Sequence, residues 1–211
     1  MAILDDISTA IQTGKMKLIK ELVPQAIEQG LSAQSILNDG LLHGMNIIGD
    51  RFTRNEAFVP EVLVSARAMN KGVELIKPLL AEEGAQSIGK CCIGTVSGDL
   101  HDIGKNIVKL MLESKNIEVI DLGVDVPAEK FVQTAIDEGC SLVCCSALLT
   151  TTMPAMQAVV EAFSAAGVRE KVKIMVGGAP VTQEFCDKIG ADAYTEDATT
   201  CSNRAVELLT A

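Results

Sequence analysis

The apolar positions of this chain change their period near its middle. From Ile3 to about Leu80 they recur at steps of three and four. In SILNDGLLHGMNIIGDRF the set Ile36, Leu37, Leu41, Met45, Ile48 and Phe52 falls along one helical stripe. Ser8, Ser32 and Thr53 suit helix starts or turns, Gly14 and Gly30 suit stops, and Pro60 suits a first helical turn, where an N–H is not needed. The spacing predicts four or five helices, no strand, and a small bundle. AEEGAQSIG, from Ala81 to Gly89, interrupts the stripe and reads as a linker between domains 1–88 and 89–211. Beyond it the short runs CCIGTVS, IEVIDLG, SLVCCSA and VKIMVGG alternate with amphipathic stretches that begin near Gly104, Pro127, Met153 and Val181, with a last one after Glu196. Ala193–Tyr194 is a candidate fifth strand.

Strand alternating with helix implies a parallel sheet covered on both faces. Five such units match the doubly wound flavodoxin-like (Rossmann-like) order. The expected fold is therefore an α/β five-stranded parallel-sheet domain preceded by a helical bundle.

Composition narrows the partners. With 48% hydrophobic residues the chain can build real cores, and its formal charge of −10 opposes binding to a phosphate backbone or an anionic membrane. The absence of Trp and the 3% aromatic content make a poor base-stacking platform. The seven cysteines sit in apolar stretches without a CxxC, which suits reduced, buried thiols better than a disulfide framework or a zinc site. MAILDDISTA lacks the basic and apolar segments of a signal peptide, and LVCCSALL is too short to span a bilayer. A cytoplasmic protein without nucleic-acid or membrane partners is expected.

Open α/β sheets bind ligands beyond the carboxyl ends of their strands, at the point where strand order reverses. The first strand runs into Asp99-Leu100-His101-Asp102, the third ends in Ser146-Ala147-Leu148 before Thr150-Thr151-Thr152, and the fourth ends in Gly177-Gly178-Ala179. The first loop is no P-loop: the spacing from Gly98 to Gly104-Lys105 is wrong and Asn106 replaces the hydroxyl residue. GxGxxG is absent, and a flavin phosphate loop would want amides and hydroxyls rather than two carboxylates and an imidazole. One reading is structural, a histidine satisfied by an aspartate at a helix start. The other follows from the helix macrodipole, which favours a neutral imidazole there. A neutral imidazole with a carboxylate two residues away is the arrangement of a metal ligand and the group that orients it. A single histidine is a poor site for a bare ion. It suits a metal already held by a macrocycle, haem or corrinoid.

The pattern Asp99-x-His101-x-x-Gly104, Ser146-x-Leu148 and Gly177-Gly178 resembles the signature of cobalamin-binding domains, related to the module of methionine synthase. GDLHDIGKNIV, SALLTTTM and VGGAPVT resemble the corrinoid methyl-carrier proteins of methyltransferase systems, and GMNIIGDRF and FVPEVLVSARAM resemble their helical cap. The resemblance implies a cobalamin or related corrinoid, bound base-off with His101 as the lower axial ligand of cobalt. It implies that Asp99 and Ser146 complete a hydrogen-bonded ligand triad with His101. Gly98, Asp102, Ile103, Gly104, Leu148, Thr150, Gly177, Gly178 and Ala179 would line the cofactor and the slot for its nucleotide tail, the glycines keeping that slot open. Met45 and Phe52 would be an apolar cover, while His43 is given no role at cobalt. The implied protein is a non-autonomous subunit that carries a methyl group between a substrate-specific methyltransferase and a second methyltransferase with a thiol or tetrahydropterin acceptor, served by a reductive activation protein. A cobalamin-dependent regulator and an adenosylcobalamin mutase subunit are the alternatives; the first would need a DNA-binding module and the second a separate catalytic subunit.

Overall fold

The computed structural model describes residues 2–82 and 87–211. The chain divides into two compact units, Met1–Gln86 and Ser87–Ala211.

The first unit is helical. α1 (Ala2–Gln12) and α2 (Met16–Glu28) are followed by a continuous helix made of α3 (Ala33–Ser35), a π-helical segment (Ile36–Leu42) and α4 (His43–Thr53), and then by α5 (Val59–Glu82). Ser32 starts the third helix as expected, its hydroxyl accepting from the Ser35 amide at 3.1 Å. Ser8 does not mark a start; it lies buried inside α1, where its hydroxyl accepts from Gln12 at 3.2 Å. The stripe predicted from Ile36 to Ile48 is the core of the unit, with Ile36, Leu37, Leu41, Met45 and Ile48 all buried. α1 crosses the third helix so closely that a Cβ on Gly44 would sit 2.6 Å from the Ser8 carbonyl oxygen. α5 reaches Glu82, inside the stretch expected to be a linker, and residues 83–86 of that stretch lie outside the described residues.

The second unit alternates strand and helix: β1 (Gly89–Thr95), α6 (Ile103–Glu113), β2 (Ile117–Asp121), α7 (Ala128–Glu138), β3 (Leu142–Ser146), α8 (Met153–Ala165), β4 (Lys173–Gly177), α9 (Gln183–Ile189), β5 (Ala193–Tyr194) and α10 (Ala198–Thr210). All five strands are parallel, in the order β2-β1-β3-β4-β5. This is the flavodoxin-like order. Side chains alternate across a strand, so the paired cysteines divide between two cores. Cys92 and Cys145 pack with Phe131, Phe163 and Val143 on one face, and Cys91 and Cys144 with Ile93, Leu142 and Met175 on the other. All seven cysteines are free and buried. Burial on both faces is why the strands read as unbroken apolar runs.

The two-residue β5 is secured from outside the ladder. Asp192 accepts the Ile174 amide and the Arg169 guanidinium, each at 2.7 Å, and Arg169 also donates to the Gly190 carbonyl at 2.7 Å. Among the described residues no helix is long and apolar enough to cross a membrane.

Candidate cofactor site at the ends of β1 and β3

β1 pairs with β2 on one side and β3 on the other, so the connections that leave β1 and β3 diverge and open a crevice above their carboxyl ends. Residues 96–102, between β1 and α6, carry Asp99 and His101 into it. Asp99 has no exposed surface. Its Oδ1 accepts the His101 amide at 3.0 Å and lies 2.7 Å from His101 Nδ1. Its Oδ2 accepts the Leu148 amide at 2.7 Å, the Leu149 amide at 3.3 Å and the Thr152 hydroxyl at 2.8 Å. Burial pushes the carboxyl pKa up, but the bonds from Leu148, His101 and Thr152 outweigh it and hold the group well below the ordinary carboxylate range. An ionised Asp99 can only accept. Nδ1 of His101 therefore donates to it, and Nε2 is the ring nitrogen left for another partner, on a ring that is 52% exposed.

Exposed apolar side chains flank this contact in the chain: Leu100 and Ile103 are 72% and 75% exposed, and Leu148 and Leu149, whose amides bond Asp99, are 43% and 42% exposed. Exposed apolar side chains on the two loops that carry one imidazole donor suit a large and mostly apolar partner. The donor set does not suit a bare ion: among the described residues no group of three or more His, Cys, Asp or Glu could hold one. One oriented imidazole, with a buried carboxylate behind it and leucines and isoleucine around it, fits a metal held in a macrocycle.

Two expected details come out differently. The hydroxyl that completes the chain from His101 belongs to Thr152, not Ser146. Ser146, the last residue of β3, stays in register between Thr95 and Gly177, and its carbonyl accepts the Val96 amide at 3.0 Å. Asp99 reaches past the strand end to the turn that opens α8, and Thr152 is the hydroxyl residue there. Thr152 is the N-cap of α8, yet its hydroxyl makes no capping bond; it lies 2.8 Å from Asp99 Oδ2 and 2.9 Å from the Leu149 carbonyl oxygen. The run Thr150-Thr151-Thr152 was the signal in the sequence, though nothing in it told which hydroxyl would face inward.

Gly178 also has a different reason from the open slot expected of it. Its φ is +133°, and a Cβ there would lie 1.9 Å from the Ala147 carbonyl oxygen, so close backbone approach demands the glycine. Gly177 does border open space, its nearest neighbour being the Thr195 carbonyl oxygen at 3.6 Å from a Cβ, and nothing lies within 4 Å of a Cβ on Gly104. Gly98, Asp102, Ile103, Gly104, Thr150 and Ala179 are all exposed around the crevice.

In the helical unit, Met45 is 1% exposed and fills the bundle core, so it has no face to offer a ligand. Phe52 is half-buried and His43 exposed. Phe58, just before α5, is 69% exposed and was not singled out by the helical stripe, because it lies outside it.

The sequence profile of the B12 binding domain matches residues 89–202, and a second B12 binding domain profile matches residues 3–77. The chain is 44% identical to dimethylamine corrinoid protein 1 of Methanosarcina acetivorans, over 98% of this chain and 97% of that one. It is 38% identical to a corrinoid protein of Desulfitobacterium hafniense, over 99% and 96%. Among solved structures, a cobalamin-binding protein from Desulfitobacterium hafniense superposes with a TM-score of 0.83 at 29% identity, covering 97% of this chain and 98% of that one. A chain of the methanol:cobalamin methyltransferase complex of Methanosarcina barkeri superposes with a TM-score of 0.86 at 31% identity, covering 99% and 80%.

Proposed function

The chain belongs to the B12-binding family, and on that premise we propose that it is the corrinoid subunit of a methyltransferase system, holding a corrinoid base-off with His101 as the lower ligand of cobalt. The observation that carries the reading is the contact between His101 Nδ1 and the buried Asp99 carboxylate, which leaves Nε2 as the nitrogen for another partner on loops whose Leu100, Ile103 and Leu148 are exposed. Once bound, the corrinoid supplies a cobalt that accepts a methyl group when reduced and yields it to a nucleophile afterwards.

The protein residues orient and tune that group. Asp99 keeps the hydrogen on Nδ1, which raises the basicity of Nε2 toward the metal. Thr152, with the Leu148 and Leu149 amides, keeps Asp99 ionised and in place. The exposed leucines and isoleucine of the crevice would lie against the ring, and Gly177, Thr150 and Ala179 would border the displaced tail. The partners proposed are a substrate-specific methyltransferase, a second methyltransferase acting on a thiol or tetrahydropterin, and a reductive activation protein. The names of the relatives support a methylated amine as donor.

The test is reconstitution with hydroxocobalamin, reduction to Co(II) and electron paramagnetic resonance. Wild type should show coupling to one imidazole nitrogen, and His101→Ala should lose it. The same coupling in both proteins overturns the assignment. Methyl transfer should then occur with a dimethylamine methyltransferase and dimethylamine. Transfer only with a methanol methyltransferase and methanol would overturn the choice of donor.

A further inference from the structure

Asp99 orients the imidazole of His101 and holds its amide at 3.0 Å, while the carbonyl side of the same residue is held separately. Residues 97–102 have no strand or helix of their own. Thr95, the last residue of β1, has no exposed surface, and its hydroxyl donates to the His101 carbonyl at 2.7 Å. Thr95 is itself rigid: it pairs in register with Ser146, its amide donates to the Gly123 carbonyl, and its carbonyl accepts the Val126 amide, both at 3.0 Å. A second hold lies upstream of the histidine. Asp125 donates its amide to the Asp99 carbonyl at 3.0 Å and accepts the Gly98 amide at 2.7 Å, from a left-handed backbone with φ of +53°.

The side chain at position 95 makes the case. It stands in the buried run of β1 with Cys91, Cys92 and Ile93 as companions, where valine has the same shape and no polar group to desolvate. The hydroxyl is used on the carbonyl of the one residue whose reach into the crevice matters. We infer that Thr95 is a positioning residue, which fixes the distance of His101 from the corrinoid by tying its main chain to the sheet. The inference rests on the reading of His101 as lower ligand.

Thr95→Val removes the donor alone, and Thr95→Ser restores it. In the reconstituted Co(II) protein, Thr95→Val should lower the ratio of imidazole-ligated to unligated cobalt about fivefold, the effect of one hydrogen bond, and Thr95→Ser should bring it back. In the cofactor-free protein, amide exchange at Gly98 and His101 should quicken in Thr95→Val while the β1–β3 amides keep their protection. A wild-type ratio and wild-type exchange in Thr95→Val overturn the inference. Should that variant not fold, Thr95→Cys, similar in size and a weak donor, is read by the same two measurements. His101→Ala separates the two levels: if it keeps the nitrogen coupling, the ligand assignment itself falls, whereas coupling lost there and unchanged in Thr95→Val defeats only the role of Thr95.

Discussion

Thr152→Val takes one donor from a buried carboxylate and changes almost nothing else, since valine keeps the branched shape. In wild type the Thr152 hydroxyl lies 2.8 Å from Asp99 Oδ2, and Asp99 has no exposed surface through which water could replace it. A hydrogen bond to a charged group contributes about 1.5–3 kcal/mol. The Leu148 and Leu149 amides remain on the same oxygen, which places the loss near the low end, about 1.5 kcal/mol. For a unit of this size that is a fall in Tm of about 5 °C. Ser146→Ala is the control, with an expected change within about 0.5 kcal/mol, because no hydrogen bond joins Ser146 to Asp99 among the described residues. The assay is urea and thermal unfolding followed by tyrosine fluorescence. Tyr194 is the one tyrosine of a chain without tryptophan, and it lies in β5, so the signal follows the second unit. The effect also has a pH signature. Asp99 has a depressed folded pKa, so its contribution is complete above the unfolded value of about 4 and is lost as pH falls through the folded range. Removing Thr152 raises the folded value, so the gap between wild type and variant should be full at pH 7, persist near about pH 4, and close only as pH falls through the depressed folded range. Equal midpoints for Thr152→Val and Ser146→Ala at pH 7 would refute the argument.

Other outcomes follow from the same geometry. Gly178→Ala should cost more than about 2 kcal/mol, since its Cβ would meet the Ala147 carbonyl oxygen at 1.9 Å; unfolding midpoints read by Tyr194 check this. Gly104→Ala, in the first turn of α6 with nothing near its Cβ, should instead stabilise the free protein by up to about 0.8 kcal/mol and weaken corrinoid retention, measured by gel filtration of the reconstituted protein. Asp192→Ala should cost about 2 kcal/mol, because the Ile174 amide loses this acceptor and the Arg169 guanidinium loses its carboxylate while keeping the Gly190 and Val172 carbonyls; the urea midpoint reports it. The seven buried cysteines should resist iodoacetamide in the native protein and react fully in denaturant, counted by intact mass.

The architecture was legible because each unit obeys one period. The stripe from Ile36 to Ile48 turns a single face inward, and the apolar runs CCIGTVS and SLVCCSA could be buried only inside a doubly covered sheet. Helix ends were less legible. Ser8 has the chemistry of a cap and the position of a core residue, and burial against the third helix decides between them. α5 continues through Pro78 and Leu80 to Glu82, although a proline and a turn to polar composition there would both suggest an earlier end.

The site divides along the same line. Asp99 and His101 are two residues apart, so their contact is local, and the sequence shows it directly. The hydroxyl behind Asp99 is 53 residues away, and its identity depends on how far a carboxylate reaches beyond the end of β3. Ser146 stays in register between Thr95 and Gly177, and among the described residues no hydrogen bond joins its hydroxyl to Asp99. The first turn of α8 has no such obligation. A hydroxyl at that helix N-terminus with no capping bond can face a neighbouring loop, and there the electrostatics agree, because a carboxylate near that terminus is stabilised by the helix it faces. Thr152 therefore has two reasons to meet Asp99 and Ser146 has none. That physical asymmetry, rather than proximity in a motif, assigns the hydroxyl.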